Sequence, residues 1–233
     1  MRVVALIPAY NEEATIAATL SALATIQPLD EIVVINDGST DQTANSIKQI
    51  RVDSPNITLL NLPKNGGKGT ALNRGREVSS ADVFLLVDAD LGETASLAQE
   101  LLAPVLRGDA DMSIARFGAQ QTQNKMAMGF GLVRRTACLG VWILTGNTVA
   151  SPLSGQRAIT AELLHTLGPF FEGFGVEIGL TVGALHHGFR VVEVPLAMQH
   201  RAYGRGLKGI RHRGRQLVHV FKALWRCWRR GWY

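Results

Sequence analysis

Short apolar runs that alternate with stretches of helical periodicity constrain this chain more than any other feature. "VVALI" (Val3–Ile7), "EIVVIND" (Glu31–Asp37), "ITLLNL" (Ile57–Leu62) and "DVFLLV" (Asp82–Val87) read as buried strands, and "DMSIA" (Asp111–Ala115) as a fifth. The periodicity predicts helices over about residues 12–24, 70–78 and 96–106, with another after the capping residues Thr40 and Asp41. Wholly apolar strands separated by amphipathic helices imply an α/β fold, a mostly parallel sheet with helices on both faces. Such sheets bind ligands beyond the carboxyl ends of their strands.

Beyond Phe117 the pattern loosens. Met126–Leu144 and Val176–His187 read as helices, "SGQRAI" as a short strand and "FRVVEVPL" (Phe189–Leu196) as a further strand. No linker or internal repeat divides the 233 residues, so one domain is expected over 1–205, followed by a basic helical tail over 206–233. Within the domain, 1–90 is expected to form a nucleotide-binding half and 91–205 a more variable half, the one that would meet an acceptor. With 46% hydrophobic and 18% charged residues the composition is that of a folded protein. Cys138 and Cys227 have no metal spacing and read as free thiols in a reducing compartment. No apolar run approaches the roughly 18 residues needed to cross a bilayer, and the expected location is cytoplasmic.

The net charge of +5 is unevenly placed. Ten of the 24 Lys and Arg fall after residue 200 with no Asp or Glu, leaving 14 basic against 19 acidic residues before it. A body without a basic patch argues against nucleic acid as a partner.

Polar residues collect after four of the strands: Pro8, Ala9, Tyr10, Asn11 and Glu12; Asp37, Gly38 and Ser39; Asn65 to Gly69; and Asp88, Ala89 and Asp90. In a parallel sheet those ends share one edge, so four clusters distant in sequence converge on one crevice. "NDGSTD" by itself is as well explained as a turn and helix cap. "GGKG" is not a Walker loop, because Gly69 follows Lys68 and Leu62 stands where that motif has its first glycine. Even so, Lys68 at a helix start beside Gly67 suits a diphosphate, since N–H groups and the helix dipole favour anions there. Two carboxylates at i and i+2 of an extended chain, Asp88 and Asp90, point the same way and can face one ion. Mg²⁺ or Mn²⁺ takes one or two such carboxylates and fills its remaining positions with phosphate oxygens and water.

These stretches, "ALIPAYNEEATI", "VVINDGSTD", "NGGKGTALNRG" and "LLVDADL", resemble the nucleotide-sugar half of family 2 glycosyltransferases of the Rossmann-like GT-A fold. "PLSGQRAIT", "FEGFGVEIGLTVGAL" and "VPLAMQHRAYGR" resemble the retaining glucosyl-3-phosphoglycerate synthases. The resemblance covers residues 2 to about 205. It implies a metal-dependent transferase with a UDP-sugar donor, UDP-glucose by the second-half match, and an unidentified acceptor. Pro8, Ala9, Tyr10, Asn11 and Glu12 would line the nucleoside pocket, Asp37 and Ser39 would meet the base, and Gly67 and Lys68 the diphosphate. Asp88 and Ala89 would lie by the ribose or sugar. Asp90 would be the direct metal ligand, completed by His200. Glu177 would act on the donor sugar or an acceptor hydroxyl, and Arg134, Arg157 and Arg201 on an anionic acceptor. A helix-cap or surface role fits Arg157 equally well. "GFGLVRRTA" (Gly129–Ala137) departs from the synthases where they hold phosphoglycerate.

In the tail, Leu217, Phe221, Leu224 and Trp228 fall at helical spacing, with basic residues between them. Two readings stand level: a helix packed on the core with a solvated basic face, and an interfacial helix on anionic lipid. On the second, a polyprenyl phosphate becomes a natural acceptor for an inverting enzyme. A homodimer stays open. A sugar nucleotidyltransferase would want a glycine-rich loop directly after the first strand, which "PAYNEE" lacks. A silent nucleotide-sugar binder would not need the full set of acids and Lys68.

Overall fold

The computed structural model describes residues 1–54, 56–117, 130–198 and 207–232. Seven strands form one sheet in the order β3-β2-β1-β4-β6-β5-β7. They are β1 (Val3–Ala9), β2 (Glu31–Asn36), β3 (Ile57–Asn61), β4 (Val83–Leu86), β5 (Met112–Phe117), β6 (Arg157–Thr160) and β7 (Val191–Leu196). β1 lies between β2 and β4 and is parallel to both, with Ala9 opposite Asn36 and Leu6 opposite Leu86. That register brings the carboxyl ends of β1, β2 and β4 to one edge.

Alternation along β1 sends Val3, Ala5, Ile7 and Ala9 to one face of the sheet, where they pack on α1 (Ile16–Leu23), α2 (Thr43–Asp53) and α4 (Gln99–Leu106). Val4 and Leu6 face the other layer, built from α3 (Lys68–Glu77), α5 (Phe130–Thr145), α6 (Ala161–Leu167), α7 (Val176–His186) and α8 (Leu207–Arg229). Both faces are covered, which is why the strands carry no polar face.

The expected elements shift at their ends. Residues 12–15 form a turn, in which the Glu12 carbonyl accepts from Thr15 at 3.1 Å and from Ile16 at 2.9 Å, so α1 begins only at Ile16. α3 begins at Lys68, two residues before the expected start, because Gly67 at φ +84° makes the sharp entry. The helix expected from about residue 96 is split into a 3-10 turn, Gly92–Ala98, and α4. β6 runs antiparallel to both its neighbours, β4 and β5, inside an otherwise parallel sheet. A four-residue strand carries no composition signal for direction.

α8 lays Val220, Ala223 and Cys227, followed by Trp232, into the core beside α5 and α7. Its approach to α5 is close: a Cβ added at Gly140 would fall 2.3 Å from Leu224 Cδ1. The packed-helix reading of the tail therefore holds for one face of α8, while Phe221, Trp225 and Trp228 on the opposite side are exposed.

Candidate active site

The centre of the carboxyl edge is Lys68, the first residue of α3. Its Nζ donates to Asp88 Oδ1 at 2.6 Å and to Glu177 Oε1 at 2.8 Å. Asp88 Oδ2 accepts from Gln156 Nε2 at 2.6 Å. Four distant segments thus meet on one lysine and one carboxylate: the α3 start, the loop after β4, the stretch before β6, and the first turn of α7. Side-chain exposures of 22% for Lys68, 27% for Asp88 and 7% for Glu177 leave an opening to solvent while shielding the charges. Burial alone would lower the lysine pKa. The charges and hydrogen bonds of Asp88 and Glu177 outweigh it and hold the ammonium above its ordinary value. Gly155 closes the cluster from behind, where a Cβ would lie 2.5 Å from both Asp88 Oδ2 and Lys68 Nζ.

The loop before Lys68 is clamped from β2. Asp37 is buried, and its carboxylate oxygens accept from Gly66 N and Gly67 N, each at 2.8 Å. Two N–H groups that the loop was expected to offer a diphosphate are therefore held by Asp37, which anchors the loop from within rather than standing open beside a base. Gly38, at φ +69°, lets the backbones touch: a Cβ there would fall 2.7 Å from Asn65 N.

The ends of β1 and β2 are stitched together. Asn11, at φ +57°, donates its N–H to Ser39 Oγ at 3.0 Å, and its Oδ1 accepts from Thr40 N at 2.9 Å. Asparagine tolerates the left-handed region that most residues avoid. Glu12 N donates to Thr43 Oγ1 at 2.8 Å. Tyr10 is exposed, while Ala9, the last residue of β1, is buried.

β4 ends at Leu86, and Ala89 and Asp90 lie in a turn. The extended-chain geometry expected for Asp88 and Asp90 is therefore not what sets their directions. The turn is shaped instead by Thr19, buried on α1, whose Oγ1 donates to Ala89 O at 3.0 Å and accepts from Gly92 N at 2.9 Å. Among the described residues no group of three His, Cys, Asp or Glu side chains is gathered as a metal set. Asp88, beside Lys68, and Asp90, two residues further on, carry hard carboxylate oxygens, a donor type that fits a Mg²⁺ or Mn²⁺ taking its other ligands from a diphosphate and water.

Arg157 corrects an expectation. Nominated for an anionic acceptor, it is fully buried at the start of β6, where Nε donates to Ser154 O, Nη2 to Pro152 O and Nη1 to Thr181 Oγ1, each at 2.9 Å. Burial pushes its pKa down to about 10, opposed by Glu177 and Glu193. It is an internal brace for residues 152–154, next to Gly155 and Gln156. Arg134 is exposed on α5 and donates to Ala150 O at 3.4 Å. His200 and Arg201 lie outside the described residues.

Gln156, Thr19 and Thr43 are the site residues that the sequence pattern does not single out. "SGQRA" holds the one usable signal, a polar residue just before a strand that begins at the crevice.

A Rossmann-like α/β sheet with a lysine–carboxylate cluster and a glycine loop at its carboxyl edge defines a protein built to hold an anionic ligand there. The chain belongs to glycosyl transferase family 2, whose family model matches residues 4–133. It is 35% identical over 193 residues to glucosyl-3-phosphoglycerate synthase of Mycobacterium tuberculosis, covering 76% of this chain and 58% of that protein. The chain thus spans somewhat over half the length of that relative. It is 25% identical over 210 residues to undecaprenyl-phosphate mannosyltransferase of Micrococcus luteus, covering 88% of this chain and 86% of the relative. The crystal structure of the Mycobacterium tuberculosis synthase in complex with Mn²⁺, uridine-diphosphate and phosphoglyceric acid superimposes with a TM-score of 0.74 at 28% identity, covering 96% of this chain and 78% of that one.

Proposed function

We propose that the chain is a metal-dependent glycosyltransferase that moves a sugar, glucose from UDP-glucose, to an acceptor hydroxyl or phosphate. The observation that carries this is Lys68 held between Asp88 and Glu177 at the carboxyl edge. An ammonium has three N–H donors. Two of them go to the carboxylates, and the third is the one a diphosphate oxygen would take. A lysine fixed in this way needs no reorganisation when charge grows on the departing diphosphate, which is the condition for electrostatic stabilisation.

Asp90, with Asp88, would hold Mg²⁺ or Mn²⁺. The ion would supply Lewis-acid neutralisation of the diphosphate. The Mn²⁺ and uridine-diphosphate bound to the Mycobacterium tuberculosis synthase support both assignments. Ala9, Asn11, Glu12 and Ser39 form the rim on which the nucleoside would lie. Glu177 is ion-paired to Lys68 and almost wholly buried, so it serves to position the lysine. We favour retention of the anomeric configuration, with the leaving phosphate accepting the acceptor's proton.

A second reading is supported by the undecaprenyl-phosphate mannosyltransferase relative, matched over most of its length. In it the acceptor is a polyprenyl phosphate and the configuration is inverted.

A thermal-shift screen of nucleotide sugars with and without Mn²⁺ identifies the donor, because a ligand bound only by the folded state raises the melting temperature. Turnover of the best donor, followed by the anomeric proton of the product, then separates retention from inversion. The absence of both stabilisation and metal-dependent hydrolysis with every UDP-sugar tried would overturn the proposal.

A further inference from the structure

We infer that α5 and α8 together form a docking face for an anionic lipid surface. Eight large apolar side chains stand in solvent on these two helices, Trp142 and Val218 among them, and six of the eight line up. On α5, Leu132 is 60% exposed, Leu139 55% and Ile143 64%; on α8, Phe221 is 55% exposed, Trp225 57% and Trp228 56%. They are not scattered. At about 100° per residue, Leu132, Leu139 and Ile143 fall on one stripe of α5, and Phe221, Trp225 and Trp228 on one stripe of α8. Each stripe borders the seam where Gly140 meets Leu224, on the side away from the buried Val133, Ala137 and Val141 of α5 and the buried Val220, Ala223 and Cys227 of α8. The two stripes are therefore halves of one solvent-facing apolar surface. A surface of that kind marks an interaction site.

Its surroundings choose the occupant. The two helices carry nine Lys or Arg and no Asp or Glu between them. Exposed Lys222, Arg226 and Arg229 flank the apolar stripe of α8, and the Arg229 guanidinium lies over the Trp225 ring at 5.0 Å from its centroid. Aromatic side chains at the boundary of an apolar face, backed by cations, suit the headgroup layer of an anionic bilayer. Each basic residue near such a surface raises affinity by about fivefold. A second copy of this chain is the poorer fit, because a two-fold contact would set cations against cations. Among the described residues no helix is long and apolar enough to cross a membrane, so the contact made by this face is a surface one.

The face also has a relationship to the site. Arg226 and Arg230 of the C-terminal segment lie over the Phe171 ring at 5.2 and 4.8 Å, and the Phe171 carbonyl lies against Gly69, next to Lys68. Docking would bring the catalytic edge near the lipid headgroups.

The test is flotation of the full chain with vesicles of phosphatidylcholine alone and of phosphatidylcholine with 30% phosphatidylglycerol, read alongside tryptophan emission. The expected result is binding to the anionic vesicles only, with a blue shift, weakened by salt. Phe221→Glu with Trp225→Glu should reduce binding by about tenfold or more, and so should Leu139→Glu with Ile143→Glu, which leaves α8 unaltered. All four positions are exposed, and circular dichroism melts confirm that the variants fold. Equal binding to both vesicle types, no binding to either, or binding insensitive to the α5 pair would overturn the inference. So would light scattering that shows a dimer dissociated by the same substitutions, which would assign the face to a second copy.

Discussion

The Lys68 ammonium sits 2.6 Å from the Asp88 carboxylate, tying the first turn of α3 to the loop after β4. Glu177 lies 2.8 Å from the same nitrogen. Replacing the lysine leaves two carboxylates facing each other across a partly closed site and removes the donor proposed for the diphosphate. Lys68→Met should weaken UDP binding in the presence of Mn²⁺ by about 10- to 100-fold, the scale of a lost charge-assisted hydrogen bond. Isothermal titration calorimetry checks this, and unchanged affinity would remove Lys68 from the diphosphate site.

The same ion pairs fix a pH dependence. The Lys68 pKa is raised above its ordinary 10.5 in the folded protein. Its stabilisation is therefore complete below the unfolded value and is lost only as pH rises through the higher folded value. UDP affinity owed to Lys68 should be flat from roughly pH 7 to 9. A midpoint near pH 8 that is present in the parent protein and absent in Lys68→Met would contradict it.

Asp88 and Asp90 should separate in their effects. Asp88 is bound to Lys68 and Gln156, whereas Asp90 stands on the partly exposed turn shaped by Thr19. Asp90→Ala should abolish metal-stimulated turnover of a UDP-sugar. Asp88→Asn should chiefly raise the KM for the donor by loosening Lys68. A Mn²⁺ titration of activity distinguishes them, and retained metal stimulation in Asp90→Ala would exclude it as the ligand.

Much of this site is legible in the sequence because strands end where polar residues begin. "PAYNEE", "NDGSTD", "GGKG" and "DAD" mark four strand ends, and parallel topology forces them together. What is not legible is which way a polar side chain turns once there. Asp37 and Lys68 both sit beside the crevice, yet Asp37 turns back into the glycine loop and Lys68 turns forward to Asp88. The hydrogen-bonding partners decide this, and they come from segments 20 to 109 residues away. The direction of β6 and the burial of Arg157 are hidden for the same reason. Arginine is ordinarily a surface residue, and the three oxygen acceptors and the Met112 sulfur arranged around its guanidinium make the interior tolerable.

That arrangement makes Arg157 a stability residue. Arg157→Met would keep the volume roughly constant but leave the buried Pro152 and Ser154 carbonyls without their donor. The expected loss is about 2–5 kcal/mol of unfolding free energy. Urea denaturation measures it. Acceptor KM should be unchanged in the fraction that remains folded, and a selective rise in that KM would return Arg157 to the acceptor site.

Two glycines at the site should respond oppositely to one added methyl group. At Gly69 a Cβ would fall 1.9 Å from the Phe171 carbonyl oxygen, a backbone atom of the segment leading to α7. Backbone cannot swing aside, so α3 would have to separate from that segment. Gly69→Ala should lower stability by about 1–3 kcal/mol or more, with activity falling in step. At Gly155 the clash is with Asp88 Oδ2 and Lys68 Nζ, both ends of side chains that can rotate. Gly155→Ala should therefore melt close to the parent temperature while pushing Lys68 and Asp88 out of register. A displacement of about 1 Å at a catalytic group costs on the order of 100-fold in rate. Melting curves and kcat measured on the two variants decide the matter, and a Gly155→Ala protein with full activity would show that the Lys68–Asp88 pair is not part of the catalytic machinery.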